Sequence, residues 1–143
     1  MKYRLGTAVV IVGGKNYDEV LIGQRLVKHG NDRFCFPGGH VDSGEEVKTA
    51  AVREVLEETG IIINPLHLEE LTFTTDLEAT DNSGEKYITM YYVYFNYLKQ
   101  EPENREPHKC KGWNWVNRNN ASNFNIWDNG GKVISKLIYG YGR

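Results

Sequence analysis

Three glutamates, Glu54, Glu57 and Glu58, stand three and four residues apart in a segment with helical periodicity. At about 100° per residue, their side chains fall within about 100° of one helical face. Like charges at this spacing repel, and negative charge in a last helical turn also opposes the helix dipole. Because stability disfavours the arrangement, we expect divalent cations there. Mg²⁺ is well suited, since it accepts carboxylate oxygens together with water and phosphate oxygens.

This acidic face continues an apolar one. Val47, Ala50 and Ala51 lie one and two turns earlier on the same side of the predicted helix. A run of glutamates is ordinarily a solvated surface. Here the continuity with apolar residues predicts that the carboxylates lie at the rim of the hydrophobic core.

The predicted helix has a start and a stop signal. Ser43 followed by Glu46 three residues later has the pattern of a capping box, so the helix is expected to begin after Ser43. Gly60 is expected to end it in the left-handed cap conformation.

Strands are expected on both sides of this helix. Turn-forming residues and runs of β-branched and aromatic residues place them at 5–12, 19–26, 34–36, 68–74, 87–98 and 112–116, the first two as a hairpin. Residues 75–86 and 99–109 are polar and predict loops, and apolar spacing in 130–139 predicts a second helix. This order indicates an α/β fold, a sandwich with a mixed β-sheet between helices.

Bulk composition limits the possible functions. The length of 143 residues fits one domain spanning 1–143, and a net charge of -2 argues against a nucleic-acid polymer or an anionic membrane as partner. The start of the chain does not resemble a secretion signal, so a cytoplasmic location is expected. Cys35 and Cys110 are expected to be reduced thiols packed as small hydrophobic residues.

A specific motif surrounds the glutamates. Gly39, then five residues, Glu45, then seven residues and the run 53–61 (REVLEETGI) match the Nudix box at each of its defined positions. The box is similar to that of MutT-type enzymes, which hydrolyse nucleoside diphosphates linked to another group. Residues 21–25, 34–40, 101–102 and 106–116 also resemble a eukaryotic subgroup of nucleotide triphosphate diphosphatases.

The resemblance implies a metal site. Glu54 and Glu58 would bind Mg²⁺, for which Mn²⁺ can substitute, and Glu57 would be a third ligand or the base. Whether Glu54 or Glu57 activates the water stays open. Gly38 would offer its backbone carbonyl to a metal, and a Gly-Gly turn permits such a close backbone approach.

Three further residues would support that site. Arg53 would orient the box without touching substrate. Glu45, on the far side of the helix from Glu54 by angle count, would have a supporting role, with direct metal or water binding as the alternative. Glu106 would supply a fourth carboxylate from a loop.

The resemblance also implies substrate contacts. Arg25 and Lys109 match positions that contact phosphates, with solvated surface charge as the alternative. Phe36, Thr89 and Trp127 match positions of the base slot, with ordinary core packing as the alternative. Phe36 stands where the subgroup usually has Leu, so its larger ring would narrow the slot.

The implied activity is Mg²⁺-dependent cleavage of nucleoside triphosphates, normal, oxidised or otherwise modified, to a nucleoside monophosphate and pyrophosphate. A nucleotide-sugar hydrolase acting on ADP-ribose or GDP-mannose is the alternative; its relatives often carry an N-terminal arm, and four residues precede Leu5 here. A non-catalytic nucleotide sensor fits less well, because the box glutamates are all present. Family membership is also compatible with a homodimer.

Overall fold

The computed structural model describes residues 3–26, 33–74, 86–124, 126, 133–134 and 137. One α-helix, α1, spans Val47–Thr59. Short 3₁₀ turns occupy Pro65–His67 and Ala121–Asn123. The strands are β1 Tyr3–Gly13, β2 Glu19–Arg25, β3 Phe34–Cys35, β4 Gly38–His40, β5 Glu69–Thr74, β6 Lys86–Phe95 and β7 Cys110–Asn117.

These strands form one mixed sheet. Its main order is β3-β2-β1-β6-β5, with β4 paired to β1 and β7 paired to β2. Strands β1 and β6 are parallel, whereas the other pairs are antiparallel. The predicted α/β fold, the predicted hairpin and the positions of the longer strands are confirmed. Strand β4 was not predicted, because the sequence suggests only a turn at the two glycines.

Both faces of β1 are buried from Gly6 to Gly13. Val9 and Ile11 face a cluster that includes Ala51 and Val55 of α1. The alternate residues, such as Val10, belong to a second cluster on the opposite face. Each fully buried aliphatic side chain contributes roughly 1.5–3 kcal/mol relative to exposure. The central strand is therefore the common core of both layers.

The second cluster includes Val133, Ile134 and Leu137, which are buried against the face opposite α1. The rest of the predicted helix 130–139 lies outside the described residues, as does most of the predicted loop 75–86. Among the described residues, no helix has both the length and the apolar character needed to cross a membrane.

The predicted start of the helix is wrong. Helix α1 begins at Val47, and Glu46 caps it with extended backbone and, among the described residues, no side-chain hydrogen bond. The preceding residues form a separate turn, in which Glu45 N donates to Asp42 O at 3.0 Å and Asp42 N donates to Glu45 Oε1 at 3.0 Å. That turn takes Ser43 out of capping position. It also places Glu45 before the helix and not on its far side.

Two glycines adopt left-handed backbone angles next to α1. Gly60 has φ of 76° and donates its N–H to Leu56 O at 3.0 Å, so the predicted helix stop is confirmed. A Cβ on Gly60 would lie 2.9 Å from Nε of Arg105. Gly44 has φ of 79°, and no described atom lies within 4 Å of its Cβ position. A side chain at position 44 would therefore meet only the conformational cost of the left-handed backbone. A side chain at position 60 would also clash with Arg105.

We expect Gly44→Ala to lower the free energy of unfolding by about 1 kcal/mol, the cost of left-handed backbone for a residue with Cβ. Gly60→Ala should cost more, because the new methyl also displaces the Arg105 guanidinium. Urea denaturation of both variants measures the difference. The Asn variants are matched controls, since Asn tolerates this conformation better. Equal losses for the two Ala variants would contradict the packing role of Gly60.

Candidate active site

The three predicted glutamates lie where α1 faces β4. Arg53 bridges two of them, and the side chain of Glu54 is 17% exposed whereas that of Glu57 is 53% exposed. Glu58 is half-buried. The expectation that the carboxylates lie at the rim of the core holds for Glu54 and Glu58.

Two glycines of β4 allow this close approach. A Cβ on Gly39 would lie 2.5 Å from the carboxyl carbon of Glu54. A Cβ on Gly38 would overlap the carbonyl oxygen of Thr7 and the backbone of Ala8. Any other residue at either position would push the strand away from the helix or from β1.

The backbone of Gly38 faces the glutamates. Its N–H donates to Glu58 Oε1 at 3.0 Å. Val9 N donates to Pro37 O at 2.9 Å, and hydrogen-bonded and non-hydrogen-bonded pairs alternate along an antiparallel ladder. Gly38 and its partner Ala8 therefore form a non-hydrogen-bonded pair. Both the amide and the carbonyl of Gly38 point away from β1, toward the side where Glu58 lies.

Arg53 is the centre of the surrounding ion pairs. Its Nε and Nη2 donate to the two oxygens of Glu45 at 2.8 and 2.9 Å, and Nη1 donates to Glu54 Oε1 at 3.0 Å and Glu57 Oε1 at 3.3 Å. Nη2 also donates to the carbonyl of His40 at 3.1 Å. The Arg53 hydrogen bonds hold the pKa of Glu45 at about 2. This bidentate geometry suits a guanidinium and no other side chain.

Glu58 carries the most perturbed carboxyl group of the site. Its pKa is raised to about 8, chiefly by burial and also by the charges of Glu54 and Glu106, which together outweigh the opposing effects of the Gly38 hydrogen bond and of Lys109. Burial also raises the pKa of Glu54, against hydrogen bonds from Arg53. Burial thus disfavours the charged forms of Glu54 and Glu58, and the neighbouring cations do not fully compensate this effect.

These donors fit a hard divalent cation, which prefers carboxylate and carbonyl oxygens. Glu54, Glu58 and the Gly38 carbonyl are of that type. Because burial raises the pKa of Glu54 and Glu58, a cation bound between them would favour their ionised forms. In the described part of the chain, no three acidic, histidine or cysteine side chains already converge as a ligand set. Glu54 accepts a hydrogen bond from Arg53, and Glu58 accepts one from Gly38. Both carboxylates would therefore have to reorient to bind the same ion.

Of the two predicted phosphate-contacting cations, Lys109 lies close to this cluster. Lys109 Nζ lies 3.4 Å from Glu106 Oε2, and the charges of both act on Glu58. Arg25 is exposed at the end of β2, and its charge acts on Cys35, a residue that also interacts with Glu58. Lys109 is therefore near Glu58, whereas the structure places Arg25 near Cys35.

The predicted base-slot residues lie on the other face of the sheet. Phe36 is 5% exposed and packs edge-to-face on Tyr91, with ring centroids 6.1 Å apart. Thr89, two residues before Tyr91 on the same strand, is 4% exposed. Its Oγ1 lacks a hydrogen-bond partner among the described residues. Trp127 lies outside the described residues.

The two cysteines are free thiols, as predicted. Burial raises the pKa of Cys35 to about 12 and raises that of Cys110 as well. Both thiols are protonated at neutral pH, which excludes them as nucleophiles there.

The sequence analysis missed Arg105 and Trp113, which cap the acidic end of α1. Arg105 N and Trp113 Nε1 each donate to Glu58 O at 3.3 Å, and Arg105 Nη1 donates to Leu56 O at 3.4 Å. One signal was available: α1, described in full, has no basic residue in its last turn. A helix end with three acids and no cation requires donors from elsewhere in the chain.

Comparison with known proteins identifies the architecture. A family model described as NUDIX domain matches residues 2–137. The solved structure of a MutT NUDIX hydrolase from Burkholderia pseudomallei is similar with a TM-score of 0.71 and 25% identity, covering 83% of this chain and 86% of that one.

Three curated relatives are similar to this chain in sequence, and two of them are named for different substrates. The Nudix hydrolase YvcI of Bacillus subtilis is 30% identical over 126 residues, covering 87% of this chain and 75% of its own length. The 8-oxo-dGTP diphosphatase of Escherichia coli is 32% identical over 104 residues, covering 72% and 74%. The ADP-ribose pyrophosphatase of Methanocaldococcus jannaschii is 45% identical over 67 residues, covering 43% of this chain but only 38% of that protein.

The pKa of Glu58 predicts an unusual pH dependence of stability in chelator. Folding raises this pKa from an ordinary 4.5 to about 8. Between these values the folded protein holds a proton that the unfolded chain has lost, so the stabilisation present below pH 4.5 is lost as pH rises through 8. Glu58→Gln should therefore be more stable than wild type by roughly 2–4 kcal/mol near pH 9 and gain nothing near pH 4.

Denaturant unfolding in EDTA across this pH range measures the effect. The substitution Glu69→Gln, at an exposed position at the start of β5, controls for the loss of one negative charge. If the free energies of unfolding of wild type and Glu58→Gln changed with pH in parallel, the pKa of Glu58 would not be raised by folding, and the prediction would be wrong.

Proposed function

The chain belongs to the NUDIX family of hydrolases, and from that premise we propose that it is a Mg²⁺-dependent pyrophosphohydrolase of nucleoside triphosphates. Its products would be a nucleoside monophosphate and pyrophosphate. The proposed substrate is a small nucleotide, normal or oxidised, and not a nucleic-acid polymer. Residues 1–143 would act as one catalytic domain.

One observation carries this proposal: two partly buried carboxylates with raised pKa values face the backbone of two glycines. A fold selected only for stability would place cations or apolar residues at this helix end. We assign Glu54, Glu58 and the Gly38 carbonyl as the Mg²⁺ ligands, with Glu57 as a further ligand or the base. Mn²⁺ would substitute for Mg²⁺.

The residues of the chain would divide the reaction between them. When bound, the metal supplies charge neutralisation on the phosphates and lowers the pKa of water. Glu54 or Glu57 accepts the proton of the attacking water. Arg53, itself held by Glu45, would keep these carboxylates in place, a role supported by hydrogen bonds of 2.8–3.3 Å.

Two cations and one loop carboxylate would complete the polar part of the site. Lys109 and Arg25 would contact the phosphate chain. In the absence of substrate Lys109 pairs with Glu106. Phosphate binding would release Glu106, which could then act as the fourth carboxylate near Glu54 and Glu58.

The base would occupy an apolar slot on the opposite face of the sheet from α1. Phe36 and Thr89 would line it, and the Thr89 hydroxyl, which has no hydrogen-bond partner among the described residues, suits a hydrogen bond to a polar edge of the base. Trp127 would stack on the base. Because the Phe36 ring is bulky, a slot narrower than in the resembled subgroup is expected.

A nucleotide sugar is the second candidate substrate, since one relative is named an ADP-ribose pyrophosphatase. GDP-mannose belongs to the same class. The non-catalytic sensor has no support from the site, whose box glutamates are all present. A homodimer remains a prediction from the family.

A substrate panel with Mg²⁺ decides between the two classes. We expect pyrophosphate release from normal or oxidised nucleoside triphosphates, and slower cleavage of ADP-ribose and GDP-mannose. Faster cleavage of a nucleotide sugar would replace the proposal with its alternative. No hydrolysis of any member, with either Mg²⁺ or Mn²⁺, would refute both.

Charge-removing substitutions test the assigned glutamates. Glu58→Gln should reduce kcat by at least about 100-fold, because it removes a charge that holds the metal. Glu69→Gln should leave kcat unchanged. Among Glu54→Gln and Glu57→Gln, the variant that loses kcat but keeps its Mn²⁺ affinity identifies the base. Near-normal turnover of Glu58→Gln would overturn its assignment.

A further inference from the structure

The acidic end of α1 is capped by another part of the chain. The last carbonyls of a helix have no partners within it. Residues 103–113, here called the capping segment, supply donors to several of them. Glu103 N donates to Thr59 O at 2.8 Å, and Arg105 and Trp113 donate to Leu56 and Glu58 as described above.

Hydrogen bonds hold both the backbone carbonyl and the side-chain carboxylate of Glu58. Its carbonyl oxygen accepts two hydrogen bonds of 3.3 Å, from Arg105 N and from Trp113 Nε1. Its carboxylate accepts the Gly38 amide at 3.0 Å. A small shift of the last helical turn would therefore move the carboxylate relative to Gly38.

The indole of Trp113 is itself held in place by the sheet. Trp113 pairs with Gly23 of β2, and a Cβ on Gly23 would lie 2.7 Å from ring atoms of Trp113. The missing side chain lets the indole lie on the strand, and from there its N–H reaches the helix. The sheet thus sets the position of this donor.

Trp115 provides an internal comparison two residues further along β7. A Cβ on Gly13 would lie 2.7 Å from its ring, so a glycine accommodates this indole in the same way. Its Nε1, however, donates to exposed Glu101 at 3.4 Å and not to α1. The two tryptophans share their packing and differ in what the N–H contacts.

We propose that Trp113 is a positioning residue, whose indole N–H fixes the backbone of Glu58 and thereby the geometry of the proposed metal site. The inference rests on the proposed function and goes beyond it, because Trp113 is not among the residues assigned to the metal or the substrate. Outer residues that orient metal ligands typically affect metal affinity or activity by about 10–100-fold. The N–H, and not the bulk of the ring, is the required feature.

Two variants perturb this contact by different routes. Trp113→Phe keeps an aromatic ring but removes the N–H, and Gly23→Ala keeps the N–H but displaces the ring. Trp115→Phe and Gly13→Ala are the matched controls. Each protein is titrated with Mn²⁺ by calorimetry, assayed for kcat and KM on the substrate that the panel identifies, and unfolded thermally.

We expect Trp113→Phe and Gly23→Ala to weaken Mn²⁺ binding by roughly 10-fold and to lower kcat by a similar factor, with KM within about twofold of wild type. The controls should lose comparable thermal stability yet keep Mn²⁺ affinity and kcat. Equal effects in both pairs, or none in Trp113→Phe, would overturn the inference. Absence of Mn²⁺ binding and hydrolysis in the wild type would instead refute the proposed function.

Discussion

The close approach of a glycine strand to the acidic end of a helix determines the rest of this site. Gly38 and Gly39 leave no side chain between β4 and α1, so the carboxylates of Glu54 and Glu58 lie against backbone. The Gly38 amide donates to Glu58, and burial raises the pKa of both groups. The site therefore buries two carboxyl groups whose charged forms the packing alone does not favour.

Two sets of contacts offset part of the energetic cost of placing these acidic residues at the end of α1. On one side of α1, Arg53 donates hydrogen bonds of 2.8–3.3 Å to Glu45, Glu54 and Glu57 and offsets part of their negative charge. At its end, the capping segment supplies the donors that the helix cannot carry itself, since acids occupy its last turn. Arg53 makes no hydrogen bond to Glu58 among those described, and burial makes the Glu58 carboxyl the most perturbed of the site.

The sequence was sufficient for features that depend on local spacing. Helix periodicity places Glu54, Glu57 and Glu58 on one face, the left-handed conformation of Gly60 ends the helix, and the family motif indicates the sheet. It was insufficient where the outcome depends on competing or distant contacts. Ser43 has the pattern of a cap, yet the Asp42–Glu45 turn and the pairing of Glu45 with Arg53 take precedence. Nothing local to Trp113 indicates that it meets Glu58, because their contact spans 55 positions.

The parallel pairing of β1 with β6 has a consequence for how the molecule reaches its native state. Partners in this pair are separated by as many as 83 positions along the chain, as in the bond from Thr7 to Met90. Contacts of such high order form slowly, because the entropy of closing a long loop is lost before they stabilise the chain. Gly38 acquires its orientation only after β4 docks on β1. Gly38 lies 20 positions from Glu58 and pairs with Ala8, a nearby part of the chain, so the oxygens assigned to a divalent ion can meet before the distant pairing of β1 with β6 forms.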